Sequence, residues 1–286
     1  MGLARAPAAK PAPPRPEAAP LEEKSSARGP WRIRFWGKDK SSNCMSFVDR
    51  DRLIVVDAGT GMEALTLEGV EPGVKDVWLL LTHYHQDHVA ALEHARRWIQ
   101  AGLRFHVVGP AETESILARV VERALPSVPV DVRPLWEGAF DGLPGLQVKA
   151  LYTMHPGACF AYSFEAPGRS AIFAPDSEIP PDGGSGAADN TEKLASFALG
   201  ADLLVHDARY SDDDYPGFAG RGHSCPRAAL ELALRAGVRT LVLCHVDAKY
   251  SAEERARALA AIRARGDPDM TLGACLLAES GLEIEL

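Results

Sequence analysis

Three histidines and an aspartate directly follow an apolar run near residue 80, and their spacing constrains the chain more than any other feature. The run Leu79–Leu81 leads into a segment whose donor side chains fall within six positions: His83, His85, Asp87 and His88. Residues two apart at the end of a strand point to the same side, so His83 and His85 can hold one ion together. Asp87 and His88 then open a helical pattern and face the same point. The segment therefore predicts a metal site where a strand passes into a helix.

Over residues 31–286 this pattern resembles the metallo-β-lactamase superfamily. Members of that family take further ligands from separate loops, namely a lone His, an Asp that bridges two ions, and a His near the C-terminus. This chain offers His155, Asp176 and His245 in that order. Each follows or ends an apolar, strand-like segment (148–152, 171–174 and 240–244), and neighbouring strand ends can bring such side chains together.

The residue types indicate which ions this site would hold. Imidazole and carboxylate donors suit zinc, manganese or iron rather than calcium. Six or seven donors are too many for one tetrahedral ion and fit two ions that share a carboxylate. The predicted cofactors are therefore two divalent ions, zinc first, with manganese or iron as alternatives. By the resemblance, one ion binds His83, His85 and His155, the other binds Asp87, His88 and His245, and Asp176 bridges them.

Two ions about 3.5–4 Å apart can hold a hydroxide between them and clamp a phosphoryl or carbonyl oxygen. Asp87 has a second plausible role, because it can also orient that hydroxide. Asp57, in the turn Asp-Ala-Gly-Thr-Gly after an apolar strand, is the expected partner for the free N–H of a metal-binding histidine. An Asp that caps its own turn is a nearly equal alternative.

A second pair of motifs narrows the substrate class. In the branch that contains ribonuclease Z and cyclic-nucleotide phosphodiesterases, an acidic residue and a His protonate the departing alkoxide. The resemblance assigns this pair to Asp207 in His-Asp-Ala-Arg-Tyr and to His223 in Arg-Gly-His-Ser-Cys. An alkoxide leaves poorly without a proton, and an imidazole held by a carboxylate can deliver one at neutral pH. The alternative for His223 is a residue beside a Ser224 helix cap.

These features favour a dinuclear phosphodiesterase that acts on a small or cyclic nucleotide-like ester. A thioesterase, lactonase or glyoxalase II-like hydrolase of the same fold is the second hypothesis, in which the metal ligands matter but His223 does not. A sensor protein that retains the fold without turnover is the third. Three other histidines are predicted to be structural: His94, His106 and, packed in a strand, His206.

The amino-acid composition limits the binding partners and the cellular compartment that are expected for this chain. The net charge is −8, and the basic residues of the Ala- and Pro-rich segment 1–30 make the remaining body more acidic still. An acidic body disfavours a long nucleic acid, which is held through many Lys and Arg contacts to phosphate. No apolar run predicts a membrane span or a signal peptide, and five scattered cysteines predict free thiols. A cytoplasmic enzyme with a small-molecule substrate is expected, with a homodimer as an open alternative.

The expected organisation is a disordered tail over 1–30 and one hydrolase domain over 31–286. Short strands are predicted at 31–36, 45–48 and 53–56, and helices at 88–99, 112–124, 189–199, 224–236 and 252–265. The sequence alone indicates an α/β fold, which the resemblance sharpens to a four-layer αββα sandwich. The Gly- and Pro-rich stretch 179–190 is expected to border the pocket. Buried packing is the expected role for most of four aromatic residues that could stack on a base: Trp136, Tyr210, Tyr215 and Phe218.

Overall fold

Two seven-stranded sheets face each other, with helices on both outer faces. The computed structural model describes residues 29–36, 43–65, 70–111, 116–181, 188–265 and 272–286. In spatial order, the first sheet contains β14 (Glu283–Glu285), β1 (Arg32–Phe35), β2 (Met45–Asp49), β3 (Arg52–Val56), β4 (Asp76–Leu80), β5 (Arg104–Pro110) and β6 (Asp131–Leu135). The second contains β13 (Ala274–Leu277), β12 (Thr240–Cys244), β11 (Leu203–Asp207), β10 (Arg169–Ala174), β9 (Phe160–Ala166), β8 (Gln147–Tyr152) and β7 (Gly138–Phe140).

Six α-helices and three short 3₁₀ helices complete the described part of the chain. The helices are α1 (Gln86–Val89), α2 (Arg96–Gln100), α3 (Ile116–Ala124), α4 (Ala188–Phe197), α5 (Pro226–Ala236) and α6 (Ala252–Arg265). The 3₁₀ turns lie at Thr60–Glu63, Leu92–Ala95 and Tyr215–Gly217. The predicted four-layer αββα sandwich is confirmed.

Strand alternation explains why the central strands are apolar on both faces. In β3, Ile54 and Val56 point into the layer between the sheets, whereas Leu53 and Val55 pack under the helices of the first sheet. Successive side chains of a strand point to opposite faces, so a strand covered on both sides must be apolar throughout. The four apolar residues of β3, Leu53 to Val56, are accordingly buried.

Aromatic rings fill the layer between the sheets. Phe47 of β2 contacts Trp31 at 4.8 Å and, across the interface, Phe164 of β9 at 5.2 Å between ring centroids. Phe173 of β10 lies 6.4 Å from Phe47 in a parallel arrangement. On the outer face of the second sheet, small residues of α5 such as Ala229 and Ala233 allow that helix to approach closely. The sheets therefore pack through large rings and the helices through small side chains.

The carboxyl ends of parallel strands determine where loops can meet. Strands β3, β4, β5 and β6 run parallel to one another in the first sheet, as do β10, β11, β12 and β13 in the second. The donor-bearing segments follow β4, β10 and β12 directly, and Asp207 ends β11. Carboxyl ends of parallel strands are the usual position for ligand sites in open α/β sheets.

The main local difference from prediction is the helix expected at 88–99, which is broken into α1, a 3₁₀ turn and α2. The break occurs because Ala58 binds both sides of it: its N–H donates to the His88 carbonyl at 2.8 Å, and its carbonyl accepts from Ala91 at 2.9 Å. Helix α5 begins at Pro226 rather than at residue 224, and the Ser224 hydroxyl donates to the Ser177 carbonyl instead of capping the helix.

Several predictions fall partly or wholly outside the described residues, namely most of the tail (1–28), the start of the second predicted helix (112–115) and the centre of the 179–190 stretch (182–187). The five cysteines are all free thiols, as predicted. None of the helices in the described ranges has the length and apolarity that crossing a bilayer requires.

Truncating Phe47 tests the packing between the sheets. Phe47→Ala removes a ring that is 2 % exposed, and we expect the free energy of unfolding to fall by about 3–5 kcal/mol. Trp136→Ala is the matched control, because Trp136 is 65 % exposed and its loss should change stability by only about 0.5 kcal/mol. Urea denaturation of the two variants gives the comparison. Similar losses in both would contradict the assignment of Phe47 to the core.

Candidate metal site

Three imidazole rings meet at the carboxyl end of β4. His83 Nε2 lies 2.9 Å from His85 Nδ1, and His155 Nε2 lies 3.1 Å from the same His85 atom. His83 and His85 leave the strand on one side, as their spacing predicts, and His155 arrives from the loop after β8. We refer to His83, His85 and His155 as the three-histidine cluster.

Hydrogen bonds on the far side of two rings determine which nitrogens face inward as acceptors. His155 Nδ1 donates to the Gly222 carbonyl at 2.9 Å. The Thr82 hydroxyl donates to Asp57, so it accepts from His83 Nδ1 at 3.1 Å. Each Nε2 atom is then unprotonated, with its lone pair directed at its neighbours. Imidazole lone pairs directed at one point are the donors that a divalent cation binds, so this cluster has the chemistry of a metal site.

The second group of donors lies where α1 meets the loop after β12. His245 Nε2 is 3.1 Å from Asp87 Oδ2, and His88 Nε2 is 3.6 Å from the same oxygen. His88 Nδ1 donates to Asp57 at 2.8 Å, which leaves its Nε2 facing the site. We refer to Asp87, His88 and His245 as the mixed cluster.

Asp176 lies between the two clusters, with one carboxylate oxygen toward each. Oδ2 is 3.6 Å from His155 Nε2 and 3.8 Å from His83 Nε2, whereas Oδ1 is 3.1 Å from His88 Nε2. Asp176 is fully buried, and neither its Oδ1 nor His245 Nδ1 has a hydrogen-bond partner. Buried polar atoms are rarely left unsatisfied. A cation on each side of Asp176 would satisfy both, so the residues fit a pair of divalent ions.

The electrostatics of the two clusters differ. Burial, followed by the charge of His88, lowers the pKa of His83 to about 2, so this ring is neutral. Burial also opposes charge on His245, but Asp176 and Asp207 outweigh it and raise the pKa of His245 to about 9. Asp176 and Asp57 likewise overcome burial and raise the pKa of His88 well above its usual value. Without a cation, protons on the mixed cluster balance the carboxylates, and a divalent ion would displace them.

Asp57 anchors both clusters from behind. Its carboxylate accepts from His88 Nδ1 and from the Thr82 hydroxyl and backbone N–H, the last at 2.7 Å. Asp57 has a φ of 61°, a left-handed conformation that is uncommon for a residue other than glycine. The next residue but one, Gly59, passes so close to the Asp87 and Asn43 carbonyls that a Cβ would collide with both. The Asp-Ala-Gly turn therefore serves as a support for the site, in addition to ending β3.

The Asp207 and His223 side chains form a close pair beside the clusters. Asp207 Oδ2 accepts from His223 Nδ1 at 2.6 Å, which leaves His223 Nε2 unengaged. Backbone N–H groups of Arg209 and Ser224 donate to Asp207 Oδ1 at 2.8 and 3.2 Å. Burial would raise the pKa of Asp207, but His223 and His245 outweigh it and lower that pKa below its usual value. Asp207 is thus an ionised, fully oriented partner for an imidazole at the edge of the site.

A buried carboxylate that the sequence did not single out holds the loop before His223. Glu178 accepts from the Tyr215 hydroxyl at 2.8 Å and from the Gly220 and Gly222 N–H groups at 2.6 Å each. The Gly222 carbonyl in turn accepts from His155. Glu178 therefore supports both His155 of the three-histidine cluster and the neighbouring His223 through one loop. Gly222 has a φ of 87° and packs against Pro156 and His155 too closely for a Cβ.

Asn43 and Arg209 also lie in the site, although the sequence reading assigned neither a role. Asn43 Nδ2 is 2.9 Å from His88 Nε2 and 3.2 Å from Asp87 Oδ2. Arg209 Nη1 is 3.1 Å from His245 Nε2. Arg209 lies in the His-Asp-Ala-Arg-Tyr motif, but a single Asn or Arg carries no periodic signal that would identify it.

The remaining candidates lie away from the clusters or are buried. His106 stacks on Trp78 and bonds to Asp76 and Asp131 at the amino ends of the first-sheet strands, and His94 faces Glu63. His206 is fully buried and donates to the Asp207 carbonyl. Of the aromatic residues considered for stacking, Tyr210 and Tyr215 are buried, and Trp136 is exposed.

Comparison with known proteins identifies the family. Residues 52–246 match the family described as the Beta-lactamase superfamily domain. The chain belongs to this superfamily. Ribonuclease BN of Cronobacter sakazakii is 25 % identical over 264 residues, covering 76 % of this chain and 86 % of the relative. Ribonuclease Z of Gemmatimonas aurantiaca is 47 % identical over 58 residues, 20 % of this chain, which span only 18 % of that enzyme.

Among solved structures, a diphosphatase from the PhnP family aligns with a TM-score of 0.62 at 19 % identity, over 90 % of this chain and 98 % of its own. At that identity the likeness establishes the shared fold. The predicted superfamily is therefore confirmed, and the named relatives agree with the ribonuclease Z-like branch. The fold and the His and Asp clusters together indicate a hydrolase that depends on divalent metal.

Asp57→Asn tests the support behind the clusters. An amide cannot accept from Thr82 and His88 with both of its ends, so the orientation of the His88 ring should loosen. We expect the affinity for zinc to fall by about 10–100-fold, measured by competition with a chromophoric chelator. Asp131→Asn is the matched control, because Asp131 lies at the amino ends of the first-sheet strands, whereas the clusters lie at the carboxyl ends. Unchanged zinc affinity in Asp57→Asn would show that Asp57 only shapes its own turn.

Glu178→Gln tests the support of the loop. The amide retains one acceptor oxygen for three donors, and its NH₂ must face an N–H or O–H group. We expect the metal-free protein to lose about 1–3 kcal/mol of stability toward urea. Glu279→Gln, an exposed change of the same chemistry, should have little effect. Equal stability in the two variants would contradict the role given to Glu178.

Proposed function

We propose that the chain is a phosphodiesterase with two divalent ions, zinc first, that hydrolyses a small or cyclic nucleotide-like phosphodiester. The observation that carries this proposal is the Asp207–His223 pair beside the two clusters, with 2.6 Å between Asp207 Oδ2 and His223 Nδ1. A buried carboxylate that orients an imidazole at the pocket wall suits delivery of a proton to a poor leaving group. Thioesters and lactones need less such help.

The positions of the clustered side chains support the assignment of the metal ligands. His83, His85 and His155 would hold one ion, Asp87, His88 and His245 the other, and Asp176 would lie between them. When bound, the ions would lower the pKa of water to supply the nucleophile and would neutralise charge on the phosphoryl oxygens. The donor set contains imidazoles and carboxylates without thiolates, which supports zinc while also suiting manganese or iron.

Proton transfer can be assigned to atoms of this chain. As the water oxygen bonds to phosphorus, the ester P–O bond breaks and His223 Nε2 gives its proton to the departing oxygen. Asp207 stays ionised and stabilises the protonated ring through Nδ1. The products are a phosphate monoester and an alcohol, and the proton lost by the water restores His223. Asp87, a member of the mixed cluster whose side chain is 47 % exposed, would orient the attacking water.

The size of the pocket supports a small substrate. A cavity of about 440 Å³ opens over the clusters, lined by His85, Asp87, Asp176, Arg209, His223 and residues 245–248. This volume is in the range of sites for small ligands. The acidic composition also disfavours a long polyanion.

A ribonuclease is the second candidate, because the match to ribonuclease BN covers 86 % of that enzyme. A precursor tRNA with a 3′ trailer is the substrate that tests it. Trailer removal at a rate above that for cyclic nucleotides would favour this candidate over the small-substrate proposal.

Leaving-group dependence tests the role of His223. We expect His223→Ala to lower kcat by about 10²–10⁴-fold on adenosine 2′,3′-cyclic phosphate, which releases a ribose alkoxide. On bis(p-nitrophenyl) phosphate the loss should stay under about tenfold, because p-nitrophenolate leaves without a proton. His94→Ala is the matched control, and the metal content of each variant is measured alongside.

Two outcomes would count against the proposal. Equal losses on both substrates would mean that His223 acts by shaping the site rather than as an acid. If the fully metallated wild type turned over neither substrate, the thioesterase or lactonase hypothesis would be favoured instead of the phosphodiesterase.

A further inference from the structure

Arg209 is the one lysine or arginine among the described residues that line the pocket. The other ionisable side chains around it are histidines and the carboxylates of Asp87, Asp176 and Asp247. Its guanidinium lies at the clusters themselves, with Nη1 3.1 Å from His245 Nε2. A permanent positive charge therefore points at the place where the substrate must bind.

The backbone of Arg209 is held by two hydrogen bonds, and its guanidinium contacts the His245 imidazole rather than a carboxylate. Its backbone N–H donates to Asp207 Oδ1 at 2.8 Å, and its carbonyl accepts from the Asp247 N–H at 3.1 Å. Within the described ranges no carboxylate lies within ion-pair distance of the guanidinium, whereas Arg104 and Arg239, for example, pair with Asp76 and Asp202. A half-buried guanidinium without a carboxylate is costly unless an anion arrives from outside.

We propose that Arg209 binds a non-bridging oxygen of the phosphoryl group that is hydrolysed, and so makes the site selective for anionic phosphodiesters over neutral thioesters and lactones. The inference rests on the proposed function and adds a substrate-binding residue to it. The planar fork of a guanidinium matches two oxygens of a phosphate, a geometry that a single ammonium does not provide.

The same contact would assist the reaction. Negative charge on the phosphoryl oxygens is held by donors that are already in position, and one such donor contributes about 10²–10³-fold to kcat in comparable sites. Because the Arg209 N–H binds Asp207 two residues earlier, the anion-binding residue is fixed beside the carboxylate of the proton-donating pair. Their relative position is then fixed by the fold.

Binding of inorganic phosphate provides a test that does not depend on turnover. With the full-length protein loaded with zinc, we expect Arg209→Met to weaken phosphate binding at least about tenfold by isothermal titration calorimetry. The phosphate affinity of Arg209→Lys, which keeps the positive charge without the planar fork, should lie between those of the wild type and Arg209→Met. Arg221→Met is the matched control, because Arg221 is exposed, contacts Phe218 and does not line the pocket. Zinc content is measured for every variant.

Hydrolysis of bis(p-nitrophenyl) phosphate provides the second measurement. Arg209→Met should lower kcat/KM by about 100-fold, with Arg221→Met close to wild type. Phosphate affinity that is the same in Arg209→Met and wild type, at equal zinc content, would overturn the inference. Arginine-dependent phosphate binding in a wild-type protein that does not cleave the diester would instead refute the proposed function and leave the anion site standing.

Discussion

A buried carboxylate with an unsatisfied oxygen requires positive charge, and Asp176 imposes this requirement between the two clusters. Its Oδ1 accepts no hydrogen bond, and histidine nitrogens lie 3.1–3.8 Å from its two oxygens. Burying an isolated anion is strongly unfavourable, so the surroundings must supply protons or cations. The two clusters on either side meet that requirement, and the strand ends of both sheets are arranged around it.

The ligand side chains need a second layer of contacts, because an imidazole binds a cation only in the correct tautomer and orientation. Asp57 and Thr82 provide this for His83 and His88, and Glu178 does so for His155 through the Gly222 loop. Two of the four described non-glycine residues with a left-handed backbone lie at the site, Asp57 with φ of 61° and His245 with φ of 58°. The rigid aromatic layer between the sheets supplies the stability that such backbone conformations require.

Much of the fold and of the candidate site could be predicted, because both produce regular patterns in the sequence. The spacing of His83, His85, Asp87 and His88 is local, and the apolar runs before Asp176 and His245 place those residues at strand ends. The break in the helix expected at 88–99 could not be foreseen, since it depends on Ala58, which is distant in sequence. Glu178 and Arg209 could not be identified from the sequence for a related reason. Their partners come from other loops, and a single polar residue produces no repeating pattern in the sequence.

The choice among hydrolases of this fold depends on groups outside the two clusters. Ion-binding histidines and aspartates would serve a thioester as well as a phosphodiester, since both present an oxygen to be polarised. In the proposed reaction, Asp207 with His223 would protonate the leaving group, and Arg209 would bind the charged oxygens of the group under attack. A phosphodiester is the substrate class that needs both, because it is anionic before reaction and expels an alkoxide that requires a proton. Asp207 ends β11 and Arg209 follows it by two residues, so one short segment joins the two requirements.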